Sequence, residues 1–212
     1  MTSECPEPRL IYRIVHIDNI PWVLAHGLQP PNGLQNPQYV PWGNREVIDR
    51  RARIVVAGPP SGPLHDFVPF YFCKRHTMHY NLATGHNCEK ITQDKIVYCV
   101  SSIERLCEQT LEFVVYDRNA AVATARCFSV QEAWQKELDW SAINSEDFRY
   151  DPTQPERKHM QQAECLVHGP VPSHALLGFA CNNQLTQQVL LEHVKQANSN
   201  LLVAVRPRFY FP

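Results

Sequence analysis

The chain alternates short apolar runs with polar stretches that carry Pro and Gly, a pattern of many short elements rather than a few long ones. Ile11–His16, with its β-branched residues, predicts a buried strand. Asp18 or Asn19 can then cap a helix, with Pro21 in its first turn, Trp22, Val23 and Leu24 following, and Gly27 as its stop. Pro30 to Gly43 holds four prolines and two glycines and predicts a loop. Glu46–Arg53 predicts a helical turn, and Arg53–Ala57 a β-like run before Gly58-Pro59-Pro60. Val68–Phe72 predicts a strand with Pro69 near its start or at an edge. Ile96–Val100 and Glu112–Tyr116 are the cleanest strands, and between them Ser102 caps a helix with Ile103, Leu106 and Cys107 on one face. Further along, the pattern predicts a helix around Gln131–Leu138, irregular chain over Trp140–Pro155, a helix over Glu156–Ala163 and a strand over Glu164–Val167. Leu185, Val189, Leu190 and Val194 form a helical stripe, and Leu201–Val205 continues through Arg206-Pro207-Arg208-Phe209-Tyr210 as a terminal strand. The pattern amounts to about six strands and five helices, irregularly interleaved, which predicts an α+β fold rather than a doubly wound sheet.

At 212 residues, 44% hydrophobic and 19% charged, the chain has the material for one globular domain with a real core. A formal net charge of −1 excludes a generally polycationic binder, so any nucleic-acid surface must be local. No apolar run approaches the ~20 residues of a membrane span, and the acidic, Pro-bearing Met1–Pro8 segment is not a secretion signal. A cytoplasmic protein without a membrane partner is expected. The eight cysteines are scattered without a C-x-x-C pair and are expected to be reduced core residues. Cys88 and His86 lack a second ligand pair, so no metal is expected. Neither G-x-G-x-x-G nor G-x-x-x-x-G-K-[ST] occurs, which excludes Rossmann and P-loop nucleotide sites.

Three features could carry chemistry. His16 ends the first strand just before a helix start. It is either a backbone-bonded turn histidine or a donor to a ribose beside amides able to meet a diphosphate. Arg45, Arg50, Arg51 and Arg53 form either a solvated face or a phosphate and anion site. Glu164, in Q-A-E-C-L-V-H, leads an apolar strand, where a carboxylate is either on an exposed face or a buried acid kept for a purpose.

Taken in order, I-Y-R-I-V-H-I-D-N-I, H-D-F-V-P-F-Y-F running to Thr77-Met78, A-W-Q-K-E-L-D-W and R-K-H-M-Q-Q-A-E-C-L-V resemble the DarT toxins over nearly the whole chain. That family comprises NAD-dependent ADP-ribosyltransferases that modify bases in single-stranded DNA. The resemblance implies a split, twisted α+β fold with NAD as substrate in a central cleft, spanning residues 10–212 after a short tail at 1–9. It assigns His16, Ile17, Asp18 and Asn19, then Gly27 and Leu28, together with Tyr71, to NAD. The 36–53 element folds over NAD and supplies Arg51 as catalytic arginine, while Glu164 matches the catalytic glutamate. Residues 117–163 present the acceptor base. Arg75, Met78, Asn119, Tyr150 and Lys158 are the DNA-side candidates, with Lys74, Arg157 and Phe148 beside them. A cognate macrodomain antitoxin (DarG-like) is the implied partner. Where thymidine-directed members carry Asp-Gly-His, this chain has Asp117-Arg118-Asn119, so guanosine stays open as acceptor beside thymidine. An ADP-ribosyltransferase with an RNA or protein acceptor and a non-catalytic NAD-binding module are the other readings.

Overall fold

A computed structural model describes residues 8–129, 134–145, 147 and 151–212. Its first strand, β1 (Leu10–His16), is followed by a 3-10 turn (Ile17–Asn19) and α1 (Ile20–His26). Pro21 lies in the first turn of α1, and Gly27 ends it at φ 74°, a conformation that suits glycine. Next come α2 (Arg45–Arg51), β2 (Val55–Val56), β3 (Gly62–Pro63), β4 (Phe67–Tyr71), α3 (Thr77–Thr84), β5 (Ile96–Ser102), α4 (Ile103–Glu108) and β6 (Phe113–Tyr116). The rest is β7 (Cys127–Ser129), α5 (Trp134–Glu137), α6 (Trp140–Ile143), α7 (Arg157–Met160), β8 (Glu164–His168), β9 (Gly178–Cys181), α8 (Gln184–Gln196) and β10 (Leu202–Val205).

Eight strands follow the order β10-β9-β5-β1-β4-β8-β6-β7, with only β10 and β9 parallel; β2 and β3 form a separate ribbon. The sheet is split at its middle. β1 pairs with β5 along its whole length, yet with β4 only through Tyr12 opposite Tyr71. Pro69 explains part of the opening, because it has no N–H to offer β1. It sits inside the sheet rather than at an edge, tolerated because its carbonyl accepts from Arg13 Nη1 at 3.1 Å instead of from a strand.

One face of the sheet is covered by α1 and α8, whose Val23, Leu24, Leu190 and Val194 join Val68, Phe70, Val97 and Cys165 in the main core. The other face carries two smaller clusters, one for each half. Tyr12, Ile14, Leu82 and Tyr98 belong to the first, and Phe67, Val114, Tyr116 and Leu166 to the second. Side chains alternate along a strand. Tyr71 and Glu164 therefore share the face of Phe67 and Leu166, beside the split.

Several expectations are corrected. Trp140–Ile143 is helical, because Asp139 caps it through Ala142 N at 2.9 Å. The α8 stripe is rotated by one residue: Thr186, Leu190 and Val194 are buried, while Leu185 and Val189 are exposed. Helix α3 and strand β9 lack a clear pattern in the sequence. The helix is capped by a histidine, His76, and the strand is G-F-A-C without a β-branched residue. Of the helix expected around Gln131–Leu138, residues 131–133 lie outside the described residues, as do Cys5, Phe148 and Tyr150. The seven described cysteines are free thiols, four of them buried.

Candidate active site

Glu164 begins β8 and is completely buried. Such a carboxylate must be hydrogen-bonded and charge-compensated, and here it is both. Arg51 Nη1 donates to its Oε1 at 3.0 Å and Nη2 to its Oε2 at 3.3 Å. Asn119 Nδ2 donates to Oε1 at 3.0 Å, and the Ala120 N–H to Oε2 at 3.1 Å. Arg51 Nη1 also reaches Asn119 Oδ1 at 3.2 Å, which closes a three-residue ring. Burial alone would lower the Arg51 pKa; the Glu164 charge outweighs it and raises it. The guanidinium is therefore permanently cationic and acts through charge, not as a base.

The ring is assembled from three segments. Arg51 comes from the last turn of α2, which Asn44 caps through Val47 N at 3.2 Å and which buries no residue of its own. Asn119 and Ala120 follow β6, whose register with β8 sets Tyr116 opposite Glu164. The turn beyond β6 is held by buried Asp117, which accepts from Arg126 N at 3.0 Å and from Arg118 Nε at 3.3 Å. Burial raises the Asp117 pKa, but these donors overcome it and pull it below the usual carboxylate range. Arg118 also reaches Glu156 at 2.7 Å, tying this turn to the chain before α7.

Tyr71 faces Glu164 across the β4–β8 pair and stacks on His76, with ring centroids 4.1 Å apart. Burial and the Glu164 charge push its hydroxyl far above the ordinary range, so it remains a neutral donor. His16 Nδ1 accepts from Asp18 N at 3.3 Å, so its neutral ring carries the proton on Nε2. Burial lowers its pKa, and Asp18 partly offsets that.

Other residues take roles that the sequence did not indicate. The Asn19 amide is spent on Val40, donating to its carbonyl at 3.1 Å and accepting from its N–H at 2.9 Å; it clasps the 36–53 segment to the start of α1. Gly27 and Leu28 meet Val171, and a Cβ on Gly27 would lie 2.3 Å from the Val171 carbonyl oxygen. Arg75 places its guanidinium 5.8 Å from the Phe211 ring centre, and Lys74 its ammonium 5.3 Å from that of Phe209. Met78 packs with Trp42 against the cluster of Tyr12 and Leu82. Lys158 is exposed on α7, and Arg157 stands 3.7 Å from Asp147 and 3.9 Å from Asp151. Asn119, expected against DNA, lies in the Glu164 ring. Its role was hidden because it depends on the β6–β8 register, which a lone Asn after a strand does not reveal. Among the described residues no group of His, Cys, Asp or Glu is placed to hold a metal ion, and no helix is long and apolar enough to cross a membrane.

A fully buried carboxylate held by Arg51, Asn119 and Ala120 beside the split of the sheet is the candidate active site. The sequence model of the family described as "ssDNA thymidine ADP-ribosyltransferase, DarT" matches residues 12–211. A DNA ADP-ribosyl transferase of Escherichia coli O127:H6 is 33% identical over 208 residues, 97% of this chain and 95% of that protein. The structure of the Thermus sp. 2.9 DarT with ADP-ribosylated single-stranded DNA superposes with a TM-score of 0.88 at 32% identity, covering 100% of both chains. The same protein with NAD+ gives 0.86 at 33% identity, covering 97% of this chain and 99% of the other. The chain belongs to the DarT family, NAD-dependent ADP-ribosyltransferases that modify DNA.

Proposed function

We propose that the enzyme transfers ADP-ribose from NAD to thymidine in single-stranded DNA, with Glu164 and Arg51 as its catalytic residues. The observation that carries this reading is the closed ring of Arg51, Glu164 and Asn119 at the split, built on a fully buried carboxylate. In the reaction the bond between the nicotinamide nitrogen and C1′ breaks, and its electron pair leaves with nicotinamide. Positive charge spreads over C1′ and the ribose ring oxygen. Glu164 accepts from a ribose hydroxyl and stabilises that charge. The thymine ring nitrogen then bonds to C1′ and its proton passes to solvent; Arg51 stabilises the negative charge that builds on the ring as the proton leaves.

In this reading residues 10–212 form one catalytic domain. His16, Ile17, Asp18 and Asn19, Gly27 and Leu28, and Tyr71 line the NAD side, and the 36–53 segment folds over it. Arg75, Met78, Tyr150 and Lys158 serve the DNA side, with residues 117–163 presenting the base and Asn119, in the Glu164 ring, at the start of that segment. The Arg118–Glu156 tie supports this role, because it holds both ends of that segment near Glu164. Both substrates are at hand in the cytoplasm, where we place the enzyme. A bulky charged group on a DNA base blocks pairing, so the host needs a hydrolytic antitoxin, and a macrodomain is the chemical class that fits. Growth should stop when the chain is expressed without such a partner.

The test uses single-stranded oligonucleotides that each lack one base, incubated with NAD and weighed by mass spectrometry. Every oligonucleotide with thymine should gain one ADP-ribose, and duplex should react poorly because the base is paired and stacked. Adducts on a thymine-free strand, with none on a guanine-free one, would move the acceptor to guanine. Label on protein or RNA alone would overturn a DNA acceptor.

A further inference from the structure

Arg13 sits in the middle of β1, on the strand that borders the split, and is assigned no part in the site above. Its guanidinium lies in the gap between the halves of the sheet, where Nη1 donates to the Pro69 carbonyl at 3.1 Å. Nε is buried without a hydrogen-bond partner. Among the described residues, no Asp or Glu oxygen stands within salt-bridge distance of it. Its electrostatic neighbours are Tyr39 of the 36–53 segment, Tyr71, Cys99 and a second cation, Arg51. Burial, with Arg51 adding to it, lowers the Arg13 pKa, yet an arginine remains charged.

A desolvated cation without a carboxylate is costly to keep, and polar groups in a protein interior are normally paired. The charge of Glu164 is already met by Arg51, with Asn119 and Ala120 donating beside it. Two guanidinium groups therefore lie near the split with one carboxylate, which pairs with Arg51, leaving a net positive charge by the segment read as covering NAD. A planar fork with a free edge suits a phosphate better than any neutral group.

We propose that Arg13 binds a phosphate of NAD, the anion that its guanidinium does not find among the described residues. The inference rests on the assignment of NAD as substrate. Wild-type NAD affinity, measured in the same series, tests that assignment separately.

The experiment compares wild type with Arg13→Gln and Arg13→Lys by calorimetric titration of NAD, ADP-ribose and a thymine-bearing single-stranded oligonucleotide, with melting of the ligand-free proteins alongside. Arg13→Gln should weaken NAD and ADP-ribose at least about ten-fold, the scale of one charge-assisted contact, and leave oligonucleotide affinity unchanged. Its ligand-free melting temperature should hold or rise, because an unpaired buried charge has gone. Arg13→Lys, which keeps the charge but not the fork, should fall between. A lower melting temperature with NAD affinity intact would make Arg13 a strut across the split and overturn the proposal. Weakened oligonucleotide binding with intact NAD binding would move the phosphate to DNA and overturn it too. Should the variants not fold, phenylglyoxal labelling of wild type decides: ADP-ribose protects Arg13 if it binds phosphate, and equal labelling with and without ADP-ribose overturns the idea.

Discussion

At the scale of single residues the site is an argument about one carboxylate. Glu164 has no exposure to solvent and takes five hydrogen bonds from Arg51, Asn119 and Ala120, so its position is set before any substrate arrives. A preorganised charge of this kind acts on the transition state more than on bound NAD. Glu164→Gln should therefore lower turnover by about 100-fold or more and change NAD affinity little; near-normal turnover in single-turnover assays would make Glu164 structural. Asn119 touches both charged partners and works through them. Asn119→Ala should reduce kcat by roughly ten-fold, the scale of one hydrogen bond to a charged group, with the KM for NAD unchanged. A rise in KM alone would point to direct contact with the nucleotide instead.

At the scale of elements, the 36–53 segment depends on few contacts. Helix α2 buries none of its seven residues and is held by the Asn44 cap, the Arg51–Glu164 pair and the chain that follows it. Removing the cap by Asn44→Ala should destabilise it by about 1 kcal/mol, seen as several-fold faster hydrogen exchange of the α2 amides while β5 amides are unaffected. The turn after α1 is the opposite case. At Gly27 the backbone has a left-handed φ and the Val171 carbonyl crowds any side chain. Gly27→Ala should cost about 1–3 kcal/mol, read as a lower urea midpoint.

At the scale of the whole molecule, His79 of α3 and its capping residue His76 are both buried. Burial and the neighbouring His79 hold His76 well below the ordinary histidine value, and burial takes His79 down to about 4. Both therefore fold as neutral rings. The unfolded chain binds more protons than the folded one between the unfolded value, about 6.5, and the depressed folded values. Their contribution is thus complete above pH 6.5 and is lost as pH falls from there toward 4, at about 1.4 kcal/mol per pH unit for each ring. Urea midpoints from pH 7.5 to 4.5 should show that slope, and His79→Gln should reduce it; an unchanged slope would assign the acid sensitivity to other groups.

What the sequence by itself determined was local or carried by composition. The strand ending at His16, the Pro21 start and Gly27 stop of α1, the Ser102 cap and the strand led by Glu164 depend on neighbours within a turn, and all of them form. The arginine cluster and a carboxylate heading an apolar strand stood out from the pattern, and the family resemblance singled out Arg51 and Glu164 among them. Tertiary structure alone decided that Arg51 and Glu164 pair directly, that Asn119 closes the ring and that Asn19 clasps Val40. It also decided that Arg13 lies in a split opened at Pro69. Those pairings span between 21 and 113 residues of chain. They follow from strand register, which long-range packing sets and no local pattern encodes.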